Sequence, residues 1–200
     1  MTLKLQRFDS HWRKDLGALI FALTGVIMFG SANSETLLPE EFGGTPQSRW
    51  EYIADTVMGG VSKGKVQFVT QDGKTVLKLT GQVSTENNGG FIQARLKLAE
   101  PLPDLAEGVW LKVRGNGQRY FVHLRTSGTV LPWQYYQAAF DTTESWQLVR
   151  LDWKSFKPSG GLSGSFLSDR PEPTSVKSIA IVAFGREHTV DVEVAKLGYF

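Results

Sequence analysis

Beyond residue 34, the side chains that could move a proton near neutral pH reduce to His123 and His188, and the chain has no cysteine. Neither histidine has a companion that would make it a catalytic base. His123 alternates with Phe121 and Arg125 in an extended stretch, and His188 falls in the turn Gly185-Arg186-Glu187-His188. No Gly-x-Ser-x-Gly elbow is present to anchor a hydrolase triad, and no His-Glu-x-x-His or EF-hand pattern to hold a metal. Gly115-x-Gly117 has no helix after it, so it is not a dinucleotide loop. The lack of cysteine excludes disulfides, thiolate nucleophiles and cysteine-bound zinc or iron–sulfur centres. Two carboxylates acting as acid and base on a glycosidic bond need only meet in space, but the sequence singles out no such pair. The chemistry therefore points to a non-catalytic protein with no cofactor and no metal, an uncharacterised hydrolase being the remaining enzymatic alternative.

Residues suited to binding are more plentiful. The block Asp55-Thr56-Val57-Met58-Gly59-Gly60-Val61-Ser62 is too polar and glycine-rich for a helix interior. Its paired glycines permit backbone angles closed to other residues, and Asp55 and Ser62 can fix the turn by bonding nearby backbone. Val57 and Met58 are apolar residues on that turn, either folded under it or offered to a partner. A second block, Asn87-Asn88-Gly89-Gly90-Phe91, has the same character. Both blocks admit a purely structural reading, in which Asp55 and Asn88 bond backbone amides and touch no ligand. Aromatics concentrate in the middle of the chain, and Tyr120, Trp133 and Tyr135 with Arg114, Arg125 and Gln134 offer the mixture of flat rings and polar groups that binds sugars. Aromatics on strands also serve as core or cross-strand partners.

The Asp55–Ser62 block resembles the signature of the complex I intermediate-associated protein 30 family, the NADH:ubiquinone oxidoreductase assembly factors. Three further blocks resemble that family in its own order. They are Gly81–Phe91, Val113-Arg114-Gly115-Asn116-Gly117-Gln118-Arg119-Tyr120, and Tyr136–Phe140 followed by Trp146 and Trp153–Phe156. The resemblance spans about Trp50 to Phe200. It implies a galactose-binding-domain-like β-sandwich and an assembly or chaperone-like role, with subunits of a membrane complex as partners. The wider fold implies a carbohydrate- or small-ligand-binding module as the alternative.

The elements that would carry these residues are short. From Trp50 onward, apolar runs are punctuated by turn residues, the pattern of an all-β antiparallel sandwich, jelly-roll in type. Strands are predicted near 50–54, 65–70, 75–82, 90–98, 108–114, 119–126, 134–140, 147–152, 178–184 and 190–199. Ile92, Ala94, Leu96 and Leu98 alternate with polar residues, as do Val190, Val192 and Val194, so each set faces a core. Asp72-Gly73 and Asn116-Gly117 read as hairpin turns. Residues 157–174 form the longest turn-rich stretch. Residues 35–48 read as a lead-in linker, and 49–200 as one domain.

The N-terminus reads as an export signal or anchor over residues 1–34. Lys4, Arg7, Arg13 and Lys14 precede an uncharged apolar run from Leu16 to Phe29, and small residues follow it. Cleavage near Ala32 or Ser34 and retention as a membrane anchor are both open. Either places the domain outside the cytoplasm, in the periplasm or on the outer face of the inner membrane for a bacterial source. The mitochondrial members of the family act in the matrix, so such a signal would put this domain on the opposite side of the membrane. The net charge of +2 belongs to this segment, because residues 35–200 carry eighteen charges of each sign. Nucleic-acid binding is not expected of a domain with no basic run.

Overall fold

The structure is a computed structural model that describes residues 36–37, 48–160 and 167–200. The expected export segment and most of the lead-in lie outside the described residues. Twelve strands follow one another. They are β1 Thr36–Leu37, β2 Trp50–Ala54, β3 Lys63–Gln71, β4 Lys74–Val83, β5 Phe91–Lys97, β6 Gly108–Gly115, β7 Arg119–Thr126, β8 Tyr135–Asp141, β9 Gln147–Asp152, β10 Lys157–Ser159, β11 Val176–Phe184 and β12 His188–Tyr199. The expected strands are present. β10 and β1 are additions: β10 is three residues around Pro158, and β1 is a two-residue pairing with the end of β12 inside the expected linker.

The strands form two antiparallel sheets. One has the order β3-β4-β12-β6-β9, with β1 beside β12, and the other has the order β10-β8-β7-β11-β5-β2. The alternation of β5 explains why they stack. Ile92, Ala94 and Leu96 are buried, while Phe91, Gln93, Arg95 and Lys97 face away from the core. Val190, Val192 and Val194 of β12 meet them from the opposite sheet, with Leu77, Leu79, Leu111, Val113, Tyr120, Val122 and Ile181 in the same cluster. Leu98 and Val149 are only partly buried against this core. Burial of this apolar surface is the main stabilising term of the sandwich.

The turns decide where the chain changes sheets. Asp72-Gly73 makes the expected two-residue hairpin, with Gln71 paired to Lys74 and both turn residues at positive φ. Asn116-Gly117 does not make a hairpin. β6 and β7 lie in different sheets, and the amide of Asn116 donates to Asp191 O of β12. The turn is thus a crossing between sheets. The connections 55–62, 84–90, 116–118, 142–146 and 185–187 all cross in this way, and they gather at one end of the sandwich. The loop 127–134, the start of β2 and the end of β12 lie at the other end.

Candidate functional site

At the crossing end the chain leaves β2 and enters a single 3-10 turn, Asp55–Met58. Gly59 closes the turn at φ +90, a conformation that favours glycine. The turn points Asp55 inward and the next residues outward. Asp55 is fully buried, while Val57 and Met58 are 72% and 62% exposed.

A buried carboxylate must find donors, and Asp55 finds them on two loops. Its Oδ1 accepts the Ser62 amide at 3.0 Å, and its Oδ2 accepts the Ser62 hydroxyl at 2.5 Å. Oδ2 also accepts the Gly90 amide at 2.6 Å and the Phe91 amide at 3.3 Å. The Ser62 hydroxyl in turn accepts the Ser84 amide at 2.9 Å, which extends the chain of bonds by one link. Gly60 and Gly89 press directly on the carboxylate, and a β-carbon on either would overlap it. Burial alone would push the Asp55 carboxyl up. The Ser62 hydroxyl and the amides of Gly90, Phe91 and Ser62 outweigh that effect and hold it below the usual carboxylate range.

The neighbouring loops are tied to this frame. Asn87 Nδ2 donates to Gly59 O, and Gly185 N donates to Gly90 O at 2.8 Å. Asn87 and Asn88 both sit in the left-handed region, at φ 56 and 58. The side chain of Asn87 therefore fastens the second glycine block onto the first, and Asn88 stays exposed beside it. Val57, Met58 and the partly exposed Val61 are thus apolar side chains displayed on a clamped loop.

The other expected site residues separate into three places. Tyr120 is fully buried, not on a ligand face: its hydroxyl donates to Asn116 Oδ1 at 2.7 Å and accepts the Asp191 amide. Arg114 lies on the opposite sheet, where Glu193 holds it at 2.6 Å, Gln71 at 3.0 Å and the Trp146 ring lies under it. Arg114 belongs to the other sheet, which strand parity does not tell, and Tyr120, on the same strand as Arg125, has the parity of the core-facing Val122 and Leu124, so neither meets the residues the sequence groups it with.

Arg125, Trp133, Gln134 and Tyr135 do come together, at the far end. Arg125 donates to the carbonyls of Thr129, Leu131 and Pro132, and Gln134 Oε1 accepts the Leu131 amide. Both side chains thereby organise their own loop. Tyr135 stacks on His123 with ring centroids 4.1 Å apart, and Trp133 is 53% exposed. Burial pushes the His123 imidazole down to about 4, with Gln137 opposing, so the ring is neutral near pH 7. Among the described residues, no group of three His, Asp or Glu side chains converges where it could hold a metal ion.

The Arg125 clamp has no sequence signal, because guanidinium-to-carbonyl bonds have no residue-type signature. The Asp55 clamp carried a signal in its two Gly-Gly pairs, one for each loop the carboxylate holds.

The chain belongs to the complex I intermediate-associated protein 30 family, whose model matches residues 41–194. No curated protein matches it. Among solved structures it is similar to the family 11 carbohydrate-binding module of the cellulosomal cellulase Lic26A-Cel5E of Clostridium thermocellum. The TM-score is 0.66 at 14% identity, over 85% of this chain and 96% of that one. It is also similar to the family 11 module from the same organism in complex with a β-1,3-1,4-mixed-linked tetrasaccharide. There the TM-score is 0.65 at 13% identity, over 83% and 95% of the two chains. At these identities the likeness shows a common sandwich fold.

Proposed function

We propose that this is a non-catalytic binding domain that captures another protein, a subunit of a membrane respiratory complex, through the Val57–Met58 loop. The observation that carries the reading is the pairing of two strongly exposed apolar side chains with a fully buried carboxylate that locks their loop from beneath. Pre-ordering lowers the entropy cost of association, and methionine adapts to an apolar contact. Membership of a family described as complex I intermediate-associated supports the choice of partner. The basic-then-apolar N-terminus supports export, so the contact falls on a part of the client that faces outward.

A photo-crosslinker at Met58 tests the reading in membranes of the source cell. The expected product is a subunit of a respiratory complex, lost with Val57→Asp and retained with an exposed polar change such as Thr143→Ala. Products that contain no such subunit overturn it.

The second reading is a carbohydrate module, favoured by the Tyr135–His123 stack beside the half-exposed Trp133 and by the fold shared with sugar-binding modules. It is the weaker reading because Arg125 and Gln134, the polar residues expected on the ligand face, are spent on the loop backbone. Saturable retention on a polysaccharide, abolished by Trp133→Ala and Tyr135→Ala but not by Met58→Asp, would put it first.

A further inference from the structure

Opposite the Met58 loop, the connection 127–134 presents Val130 at 80% and Trp133 at 53% exposure, and Leu105 stands at the same end at 90%. Between these tips the backbone has little need of water. The carbonyls of Thr129, Leu131 and Pro132 accept from Arg125. The amide of Val130 donates to Gly128 O, that of Leu131 to Gln134 Oε1 and that of Gln134 to Leu131 O, while Pro132 has no amide hydrogen to satisfy. A loop with six of its polar backbone groups bonded internally and its tip side chains apolar loses less on leaving water than an open one.

We propose that this loop, Val130-Leu131-Pro132-Trp133, seats in the interfacial zone of a lipid bilayer. Tryptophan with aliphatic neighbours suits that zone. The position of the N-terminal chain points to lipid as the occupant. Thr36–Leu37 pairs with the end of β12, and Trp50 opens β2, both at this end of the sandwich. The apolar run Leu16–Phe29 ends seven residues before Thr36. Seven residues span at most about 25 Å, so a bilayer that holds the run can lie no farther than that from Thr36. The inference rests on retention of residues 16–29 as an anchor and is independent of the partner bound at Met58. Charges at this end are mixed, Lys97, Lys154, Arg170 and Lys177 against Glu100, Asp104, Glu107 and Glu172, all exposed. The seating is therefore apolar and should withstand high salt.

The absence of native cysteine allows a single reporter. The full chain carrying Val130→Cys or Val57→Cys is labelled with a polarity-sensitive fluorophore and reconstituted into vesicles of mixed phosphatidylethanolamine and phosphatidylglycerol. The label at 130 should shift to the blue and be quenched by lipids bearing a shallow nitroxide, with or without high salt, and Trp133→Ser should weaken the quenching several-fold. The label at 57 should stay in water. Equal exposure of the two labels on vesicle-bound chain overturns the inference and leaves the Met58 reading standing. A shift at 130 that needs a soluble oligosaccharide, or that follows protein concentration without vesicles, also overturns it. So does a chain that fails to sediment with vesicles, which removes the anchor as well.

Discussion

Gly89 stands so close to Asp55 that a β-carbon on it would lie 2.5 Å from Oδ2 of the carboxylate. Its φ of −74 is negative, so a left-handed backbone is not what calls for glycine there; the lack of space for a side chain is. Gly89→Ala should cost on the order of 2–3 kcal/mol in the native protein through overpacking. In an Asp55→Ala background the same change should cost much less, because the atom it strikes is gone. Urea unfolding of the four proteins in this cycle measures the coupling; purely additive effects would contradict the contact.

Asp55→Ala leaves the amides of Ser62, Gly90 and Phe91 without their acceptor, at a cost of about 3 kcal/mol. Asp55→Asn should recover only part, since the charge-assisted bonds are the stronger kind. An unchanged urea midpoint with lost partner binding would mean that Asp55 serves recognition instead of loop structure.

Acid should weaken the fold in two stages. His123 has its folded value lowered to about 4 from 6.5, so the unfolded chain takes the proton first. Stability is complete above about pH 6.5 and declines as pH falls towards 4. Asp55, also depressed, keeps its contribution until pH falls below the ordinary carboxyl range and loses it through the lower folded value. Urea midpoints between pH 7.5 and 3 should show both stages. His123→Phe should reduce the first, to which His188 also contributes, and Asp55→Asn the second, which Glu51, Asp141 and Glu193 share.

Met58→Asp and Val57→Asp change exposed side chains, so the melting temperature should move little, within about 0.5 kcal/mol of stability. Capture of the client should fall at least tenfold, about 1.4 kcal/mol. Loss of capture together with the fold would remove the case for a contact surface.

Arg125→Lys keeps the charge but cannot serve three carbonyls in a fixed geometry. Amide exchange should accelerate across 129–134 while the β7–β11 core keeps its protection. Uniform protection in the variant would show that the loop holds its shape without the guanidinium.

A fusion of alkaline phosphatase to Phe200 should be active if the N-terminal segment exports the domain. If the segment is cleaved, the mature chain should begin near Asn33 or Glu35. An inactive fusion with the full-length chain in the cytosol would refute export.

Local patterns made most of the sandwich readable before any coordinates. Alternation in Ile92–Leu96 and Val190–Val194 marked core-facing sides, and Asp72-Gly73 marked a true hairpin. What stayed hidden depends on distant partners. Asn116-Gly117 has hairpin chemistry, yet the amide of Asn116 still pairs with Asp191 of β12, the neighbour of β6, and the chain then passes to the other sheet. Residues 157–159 read as part of the turn-rich stretch, yet they pair with β8, because proline, which cannot donate to a ladder, is tolerated at an edge. At the candidate site, the polar and glycine residues of the Asp55 clamp were legible as a group. Their joining was not, since Asp55 and Gly90 are thirty-five positions apart and only the fold brings them together.

β10 has one further consequence. A sheet edge is a template for foreign strands. β10 closes its sheet beside β8 with only three residues, the middle one Pro158. Over Tyr135–Gln137 that edge offers a visiting strand too few ladder bonds to grow a new pair.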